Sequence, residues 1–273
     1  MVCLHGQPGS ATDWAAVGRA LRSEFTVVAV DRLGYGRTGG EGAGFEANAE
    51  AVIASLDDLG IDQAIMVGHS WAGGVGVVLA ADHRSRVRGL VLVASIGPND
   101  GAGWVDRLLA TPVVGDVMVA STFAMARTLL GSGAIRAGLD RVLPGLSSTA
   151  RATMAGGAAL QSAPDREQPA VKVPAPAQDA PWRTFMIEQR AYVDEVDGLV
   201  PRLARISVPT EIVTGLLDRV VAPEVGARLA SAIPSALLRE VPDAGHLLPF
   251  DHPNEVAEAV RSIAGRHGLR PRK

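Results

Sequence analysis

The stretch Gly68-His69-Ser70-Trp71-Ala72 places a serine between small residues and is the part of the sequence best suited to nucleophilic chemistry. Four apolar residues at 64–67 lead into it, and small and apolar residues at 73–81 follow it. This pattern predicts a buried strand that turns sharply at Ser70 into a buried helix, an arrangement known as a nucleophile elbow. Such a turn holds the serine at strained backbone angles and lifts its hydroxyl clear of the sheet. Ser70 is therefore the candidate nucleophile, since a serine that only capped the helix would not need small residues at 68 and 72.

The segments that must position Ser70 alternate between strand and helix patterns. Apolar runs predict strands at residues 2–4, 26–30, 64–67, 87–94, 210–214 and 237–241. Helical patterns fall between these runs, as at 46–59, which is followed by a glycine, and at 223–232, which begins with a proline. Strands that are apolar on both faces and separated by helices predict an α/β fold with a mostly parallel sheet and helices on both faces.

The alternation stops between residues 97 and 205. Helical patterns occur there at 104–109, 113–130, 134–143 and 185–199, and the stretch 162–181 is rich in proline and reads as a loop. We therefore expect a core formed by residues 1–96 and 206–273, with a helical cap or lid inserted at 97–205. Segment 113–130 is apolar, but Asp116 and Arg127 leave too short an uncharged run for a membrane span, so no stable membrane insertion is expected.

With these features in view, the chain resembles the α/β-hydrolase fold family. His5-Gly6-Gln7-Pro8-Gly9 looks like the family's oxyanion loop, and residues 31–38, Asp-Arg-Leu-Gly-Tyr-Gly-Arg-Thr, resemble its D-x-x-G-x-G-x-S loop. Residues 68–72 resemble its elbow, with alanine in place of the last glycine. Asp218 and His246 follow predicted strands in the loops where the family keeps its acid and its base. The resemblance covers residues 1–96 and 206–266.

The resemblance implies a catalytic triad of Ser70, His246 and Asp218. His246 would take the proton of the serine hydroxyl, and Asp218 would hold the imidazole in the correct tautomer and stabilise the imidazolium. By position, the backbone N–H groups of Gln7 and Trp71 would form the oxyanion hole. Trp71 would also lie at a helix N-terminus, where the helix dipole favours negative charge.

The acid has an alternative position in the family, after the strand at 87–94, where this chain has Asn99 and Asp100. Asp243 is too close to His246 in sequence to orient it. Of the other histidines near the motifs, His5 is expected to hydrogen-bond with neighbouring loops and His69 to point away from the reaction.

These features predict a serine hydrolase that cleaves a carboxylic ester or related acyl substrate through an acyl-enzyme intermediate. The insertion is rich in alanine, methionine and valine, which predicts a small, apolar or mixed acyl substrate. Epoxide hydrolases and haloalkane dehalogenases are disfavoured, because their elbow nucleophile is an aspartate.

Three other functions stay open. One is an aminopeptidase similar to proline iminopeptidases, in which Glu188 or Glu195 would bind the substrate amine, although Gln7 replaces a glycine of that group. The second is a non-hydrolytic lyase or oxygenase that uses the same triad. The third is a binding module built on the hydrolase scaffold.

The composition limits the cellular compartments and the binding partners that can be expected. The formal net charge of −3 gives no reason to expect nucleic acid as a partner. The single cysteine, Cys3, lies in an apolar run, which favours a reducing, cytoplasmic compartment and an inert thiol. No signal-peptide pattern is visible. No histidine–carboxylate spacing indicates a metal, and no glycine-rich phosphate loop indicates a cofactor, so neither is expected.

The start of the chain departs from the family pattern. Family members normally carry two strands before the oxyanion loop, whereas this sequence begins within the third. Either the true start lies upstream, or the sheet is trimmed. In the trimmed case the strand at 26–30 becomes a bare apolar edge that can pair with a second copy, so a homodimer is one expectation.

Overall fold

The computed structural model describes residues 1–97, 103–131, 181–234 and 236–266. Six strands form one sheet, in the order β2-β1-β3-β4-β5-β6, and every neighbouring pair is parallel. The strands are β1 (Val2–Leu4), β2 (Val28–Val30), β3 (Ala64–His69), β4 (Val87–Val93), β5 (Thr210–Gly215) and β6 (Leu237–Val241). The prediction of a parallel sheet is confirmed, and β2 is two residues shorter than the predicted strand.

The helices alternate with these strands along the chain. The first three are α1 (Ala15–Leu21), α2 (Phe45–Asp58) and α3 (Ala72–Asp82). Three more, which we call the inserted helices, lie between β4 and β5: α4 (Trp104–Ala110), α5 (Val114–Gly131) and α6 (Pro181–Glu195). The last four are α7 (Val200–Leu203), α8 (Pro223–Ala232), α9 (Leu248–Asp251) and α10 (Pro253–Arg266). The predicted helix at 134–143, the proline-rich loop up to residue 180, and Asn99 and Asp100 lie outside the described residues.

Both faces of the sheet are covered, as predicted. Because side chains alternate along a strand, Met66 of β3 and Leu90 of β4 point to one face, while Val67 and Val91 point to the other. The first face packs against α2, α3 and α8, and the second against α1 and α10. The interior strands are therefore apolar on both sides, which explains their continuous hydrophobic runs.

The parallel arrangement brings several loops to one edge of the sheet. The loops after β1, β3, β5 and β6 all leave from the carboxyl ends of their strands, and β1, β3, β4, β5 and β6 are consecutive neighbours in the sheet. Residues such as Gln7, Ser70, Asp218 and His246, which follow these four strands, are thereby placed at the same edge.

The inserted helices pack on one another and on the core. Helix α6 contacts α4 and α5, and it also reaches α2 of the core. It begins at Pro181, four residues before the predicted start, and ends at Glu195, where a 3₁₀ turn, Val196–Leu199, continues the chain towards α7. Within the described ranges, no single helix is long and apolar enough to cross a membrane. Only the bent pair Trp104–Ala110 and Val114–Thr128, with a 90° break, passes that test by length and composition.

Strand β2 lies at one edge of the sheet and pairs with β1. Val28 and Val30 are half-buried, whereas Ala29 is exposed. Pairing of this strand with a second copy stays a prediction.

Candidate active site

The turn between β3 and α3 has the shape that the sequence predicts. Ser70 has a φ of +53°, a left-handed conformation that a non-glycine residue adopts only under constraint. Its backbone N–H donates to the carbonyl of Val93 on the neighbouring strand, at 2.9 Å. A Cβ atom at Gly68 would lie 2.6 Å from the backbone oxygen of Ala72. The requirement for a small residue at 68 therefore has a direct steric cause.

The structure brings together Ser70, His246 and Asp218 from three separate loops. The distance from His246 Nε2 to Ser70 Oγ is 2.9 Å, and the distance from His246 Nδ1 to Asp218 Oδ2 is 2.8 Å. Since an ionised carboxylate only accepts hydrogen bonds, Nδ1 carries the proton and Nε2 is free to accept the serine O–H. This chain of hydrogen bonds can withdraw a proton from the hydroxyl.

The Asp218 carboxylate is fixed on both sides. Its second oxygen, Oδ1, accepts hydrogen bonds from the backbone N–H groups of Val220 at 2.8 Å and Val221 at 3.0 Å. Burial alone would raise the pKa of Asp218, but the bonds from His246 and from these two N–H groups outweigh it and hold the pKa below its usual value. Asp218 is therefore ionised near neutral pH and has little freedom to rotate.

His69, which was expected to point away from the reaction, is not among the described residues that line the cavity, but its ring contacts the loop of His246. Its Nε2 donates to the backbone carbonyl of His246 at 2.9 Å, and the two imidazole rings are 5.1 Å apart. Burial, reinforced by the nearby His246, lowers the pKa of His69 to about 3, so the ring is neutral. The alternation of side chains along β3 predicts on which face of the strand His69 lies. It cannot show that the distant loop of His246 packs against that face.

Gln7 and Trp71 meet at the same cavity as Ser70. Each follows the carboxyl end of a strand, Gln7 after β1 and Trp71 after β3, and both residues line the cavity. No protein acceptor within the described part of the chain binds the backbone N–H of either residue. Two backbone donors are thus available beside the serine hydroxyl.

The cavity has a volume of about 640 Å³ and a mixed lining. Apolar side chains form most of its described wall: Ile96, Leu109, Phe185, Tyr192, Val220 and Val221. Besides Ser70 and His246, its polar side chains are Gln7, Asp106 and Gln189. Asp106 accepts hydrogen bonds from Gln189 Nε2 and from the backbone N–H of Gly103, both at 3.0 Å. No motif in the sequence indicates that this carboxylate faces the cavity, because only the packing of α4 on α6 brings it there.

A buried ion pair lies next to the cavity and joins the core to α6. Arg32, in the loop after β2, contacts the carboxylate of Glu188, and both side chains are almost fully buried. The Tyr35 hydroxyl donates to the same carboxylate at 2.8 Å, and the Arg32 guanidinium lies over the rings of Tyr35 and Trp71. Desolvation raises the pKa of Glu188, and the attraction of Arg32 opposes that rise.

Other predicted features have structural roles. His5 Nε2 accepts a hydrogen bond from the backbone N–H of Arg32 at 3.1 Å, which confirms its expected contact with a neighbouring loop. Burial raises the pKa of the Cys3 thiol to about 12, so it is inert as expected. In the regions that the structure describes, no group of three or more His, Cys, Asp or Glu side chains could hold a metal ion.

Several known proteins are similar to this chain over most of its length. The model of the alpha/beta hydrolase family matches residues 1–259. The chain belongs to the alpha/beta hydrolase family. It is 26% identical to haloalkane dehalogenase 2 of Mycobacterium tuberculosis over 273 residues, covering 95% of this chain and 86% of that protein. It is also 26% identical to 2-hydroxymuconate semialdehyde hydrolase of Pseudomonas putida, over 95% of this chain and 85% of that hydrolase.

Among solved structures, this alpha/beta hydrolase resembles a thermophilic esterase from Thermogutta terrifontis, with a TM-score of 0.72 and 21% identity. The match covers 98% of this chain and 89% of the esterase. At that identity the likeness establishes the fold, and the substrate must be argued from the site itself.

Proposed function

We propose that this alpha/beta hydrolase cleaves carboxylic esters or related acyl compounds through an acyl-enzyme formed on Ser70. One observation carries the proposal: Ser70 Oγ lies 2.9 Å from His246 Nε2, whose other ring nitrogen lies 2.8 Å from the Asp218 carboxylate. A serine hydroxyl is a weak nucleophile, and an oriented base beside it is what acyl transfer requires.

In the proposed reaction, His246 accepts the hydroxyl proton as Ser70 Oγ attacks the acyl carbon. The backbone N–H groups of Gln7 and Trp71 stabilise the oxyanion of the tetrahedral intermediate. The imidazolium then gives its proton to the leaving alcohol, and the acyl group stays on the serine. Water, deprotonated by His246, attacks the acyl-enzyme and releases the acid, which restores the serine.

The proposed substrate is a small acyl compound with a substantial apolar part. The predominantly apolar wall of the cavity supports this, and its volume of about 640 Å³ suits a small molecule. The esterase among the structural neighbours is consistent with the proposal, as is the hydrolase of Pseudomonas putida.

Dehalogenation, the activity named for the Mycobacterium tuberculosis relative, fits this chain poorly. If Ser70 displaced a halide from a saturated carbon, it would form an alkyl ether, which water does not cleave under mild conditions. An aspartate in that position would form an ester instead, and water can hydrolyse an ester. The serine at the elbow therefore favours substrates with a carbonyl group.

The proposed acidic residues for an aminopeptidase are already engaged. Glu188 pairs with Arg32 and Tyr35, and a carboxylate oxygen of Glu195 accepts from the backbone N–H of Phe45 at 2.7 Å. Neither glutamate is among the described residues that line the cavity. This geometry favours ester cleavage over aminopeptidase activity.

The first test is the variant Ser70→Ala. With p-nitrophenyl esters graded from acetate to laurate, we expect kcat to fall by roughly 10⁶-fold, as when the serine of such a triad is removed. Labelling by a fluorophosphonate, measured by mass spectrometry, should disappear at the same time.

Ser231→Ala is the matched control, since Ser231 is an exposed helical serine whose hydroxyl donates to the carbonyl of Ala227. It should keep wild-type turnover and labelling. Ester turnover retained by Ser70→Ala would refute the nucleophilic role. Wild-type protein that neither reacts with the phosphonate nor turns over any ester would favour a non-hydrolytic or binding function.

A further inference from the structure

We propose that helix α6 holds both oxyanion donors in place, with Arg32 and Glu188 as the positioning residues. The inference rests on the proposed acyl hydrolysis, because it concerns the N–H groups of Gln7 and Trp71. Neither Arg32 nor Glu188 touches the reacting atoms in this proposal. Their role is to fix the direction in which the two N–H groups point.

Arg32 donates hydrogen bonds around the peptide group that carries the first donor, the N–H of Gln7. Its Nη2 donates to the carbonyl of Gly6 at 2.9 Å, and its Nε donates to the carbonyl of His5 at 2.8 Å. The carbonyl of Gly6 and the N–H of Gln7 belong to the same planar trans peptide group, so they point in opposite directions. Because Arg32 fixes the direction of the Gly6 carbonyl, it also fixes the direction of the Gln7 N–H, which points the opposite way.

His5 adds a second bond to the same peptide group, with Nδ1 lying 2.8 Å from the Gly6 oxygen. This contact lies within the loop and does not connect the loop to α6. The guanidinium of Arg32 does connect them, because its remaining N–H groups reach the Glu188 carboxylate on α6.

Helix α6 also contacts the side chains of both donor residues. Gln7 Nε2 donates to the carbonyl of Phe185 at 2.8 Å, and the indole N–H of Trp71 donates to the carbonyl of Glu188 at 3.3 Å. The Arg32 guanidinium lies 4.5 Å from the Trp71 ring centroid. One turn of a single helix is thus bonded to both donor residues and to the arginine that orients one of them.

The burial of this ion pair indicates more than a contribution to stability. Both charged side chains have lost nearly all contact with water, and replacing such a pair by neutral groups of similar size is often neutral or even stabilising. The planar guanidinium, in contrast, can bond two carbonyls and a carboxylate at fixed angles, which no neutral side chain does. The geometry therefore points to positioning of the donors.

The test is the double variant Arg32→Met with Glu188→Gln, which removes both charges together and leaves no unpaired buried charge. We expect kcat for ester hydrolysis to fall about 10- to 100-fold, because a misplaced oxyanion donor loses much of the 10²–10³-fold that such a donor contributes. KM should change less than about 3-fold, because the ground-state ester makes little use of these donors. Inhibition by an alkyl trifluoromethyl ketone, whose adduct carries an oxyanion, should weaken by the same factor as kcat.

The matched control is Arg190→Met with Asp116→Asn. Arg190 lies on α6, as Glu188 does, and it pairs with Asp116 on α5 through two bonds of 2.8 Å, so this pair joins α6 to α5 and involves no residue of the core. The same chemical changes there should leave kcat and ketone inhibition within 2-fold of wild type. Equal losses in the control and the test variant would show that loosening α6 in general causes the effect, and would overturn the inference.

A second variant, Arg32→Lys, keeps a cation beside Glu188 in case the double variant does not fold. A lysine ammonium cannot span two carbonyls and a carboxylate, so kcat should still fall while circular dichroism stays that of the wild type. Wild-type kcat in either folded variant would overturn the proposal.

A readout that needs no turnover separates this inference from the proposed function. The backbone amide ¹H and ¹⁵N chemical shifts of Gln7 and Trp71, measured by NMR, should move in the positioning variants and stay at their wild-type values in the control. If the wild type hydrolyses no ester, the proposed function falls, while unchanged chemical shifts at both amides overturn the positioning role by themselves.

Discussion

At the scale of single residues, the bond from His69 Nε2 to the His246 carbonyl ties the elbow to the last loop of the core. That carbonyl is on the backbone of the residue whose imidazole faces Ser70. The neutral His69 ring is therefore hydrogen-bonded to the residue that supplies the imidazole.

This contact leads to a prediction for His69→Phe, which keeps an aromatic ring but removes the donor. We expect kcat to fall about 10-fold with little change in KM, because a buried carbonyl that loses its partner costs about 1–3 kcal/mol and the loop moves to regain one. Steady-state kinetics and thermal unfolding would measure both effects. His69→Gln, which can donate from a similar position, should recover most of the loss, and equal activities of the Phe and Gln variants would contradict the idea.

Some residues of the site were predictable because they stand in short motifs. Ser70, Gln7 and Trp71 lie beside glycines or in tight loops whose spacing is itself the signal. Asp106 and His69 carry no such signal, because their importance comes from which distant segment packs on them. The same holds for Glu188, which lies 156 residues from its partner Arg32.

At the scale of elements, the elbow depends on close contact between β3 and α3. A Cβ atom at Gly68 would lie 2.6 Å from the backbone oxygen of Ala72 and 3.1 Å from Gly73 Cα. Backbone atoms cannot rotate away as a side chain can, so the turn itself would have to open.

We therefore predict that Gly68→Ala lowers the free energy of unfolding by about 1–3 kcal/mol or more, as overpacking does, and reduces kcat by moving Ser70. Urea unfolding and ester kinetics would measure the two losses. Gly265→Ala is the control, because a Cβ atom in that part of α10 meets nothing within 4 Å. The control should be neutral or slightly stabilising, and an equally tolerant Gly68→Ala would disprove the steric explanation.

The elements themselves were largely predictable, for physical reasons. Interior strands such as Val87–Val93 are buried on both faces and so appear as unbroken apolar runs. The short helix Leu248–Asp251 and the 3₁₀ turn Ala11–Trp14 were not predicted, because one turn of helix is too short to show a period. Strand β2, at the sheet edge, starts two residues later than its apolar run, at Val28, which pairs with the first residue of β1, Val2.

At the scale of the whole molecule, Asp13 links global stability to pH. It is almost fully buried in the turn after the loop that carries Gln7, where it accepts from the Ser10 backbone N–H at 3.1 Å. Burial raises the pKa of Asp13 from its usual 3.8 to about 6, although the Ser10 bonds oppose the rise. The folded state thus holds this proton more tightly than the unfolded chain does.

The stability that Asp13 contributes is therefore fully present below pH 3.8 and is lost as the pH rises to about 6. The loss is on the order of 3 kcal/mol, from about 1.4 kcal/mol per pKa unit. We predict that wild type becomes less stable relative to Asp13→Asn, which does not titrate, between pH 4 and pH 7. Urea unfolding of both proteins across that range would measure it, since titrating groups that do not interact with Asp13 cancel in the difference. Parallel pH profiles would count against the raised pKa.

The hydrogen bonds that join α6 to Gln7 and Arg32 limit how this scaffold could be re-engineered. In a chimera that receives a foreign segment in place of residues 97–205 to alter substrate choice, Phe185 and Glu188 would be discarded. A graft that rejoins the native chain before Pro181 would retain them. The segment that can be exchanged is then shorter than residues 97–205. It ends before Pro181, and helix α6 stays with the protein that receives the graft.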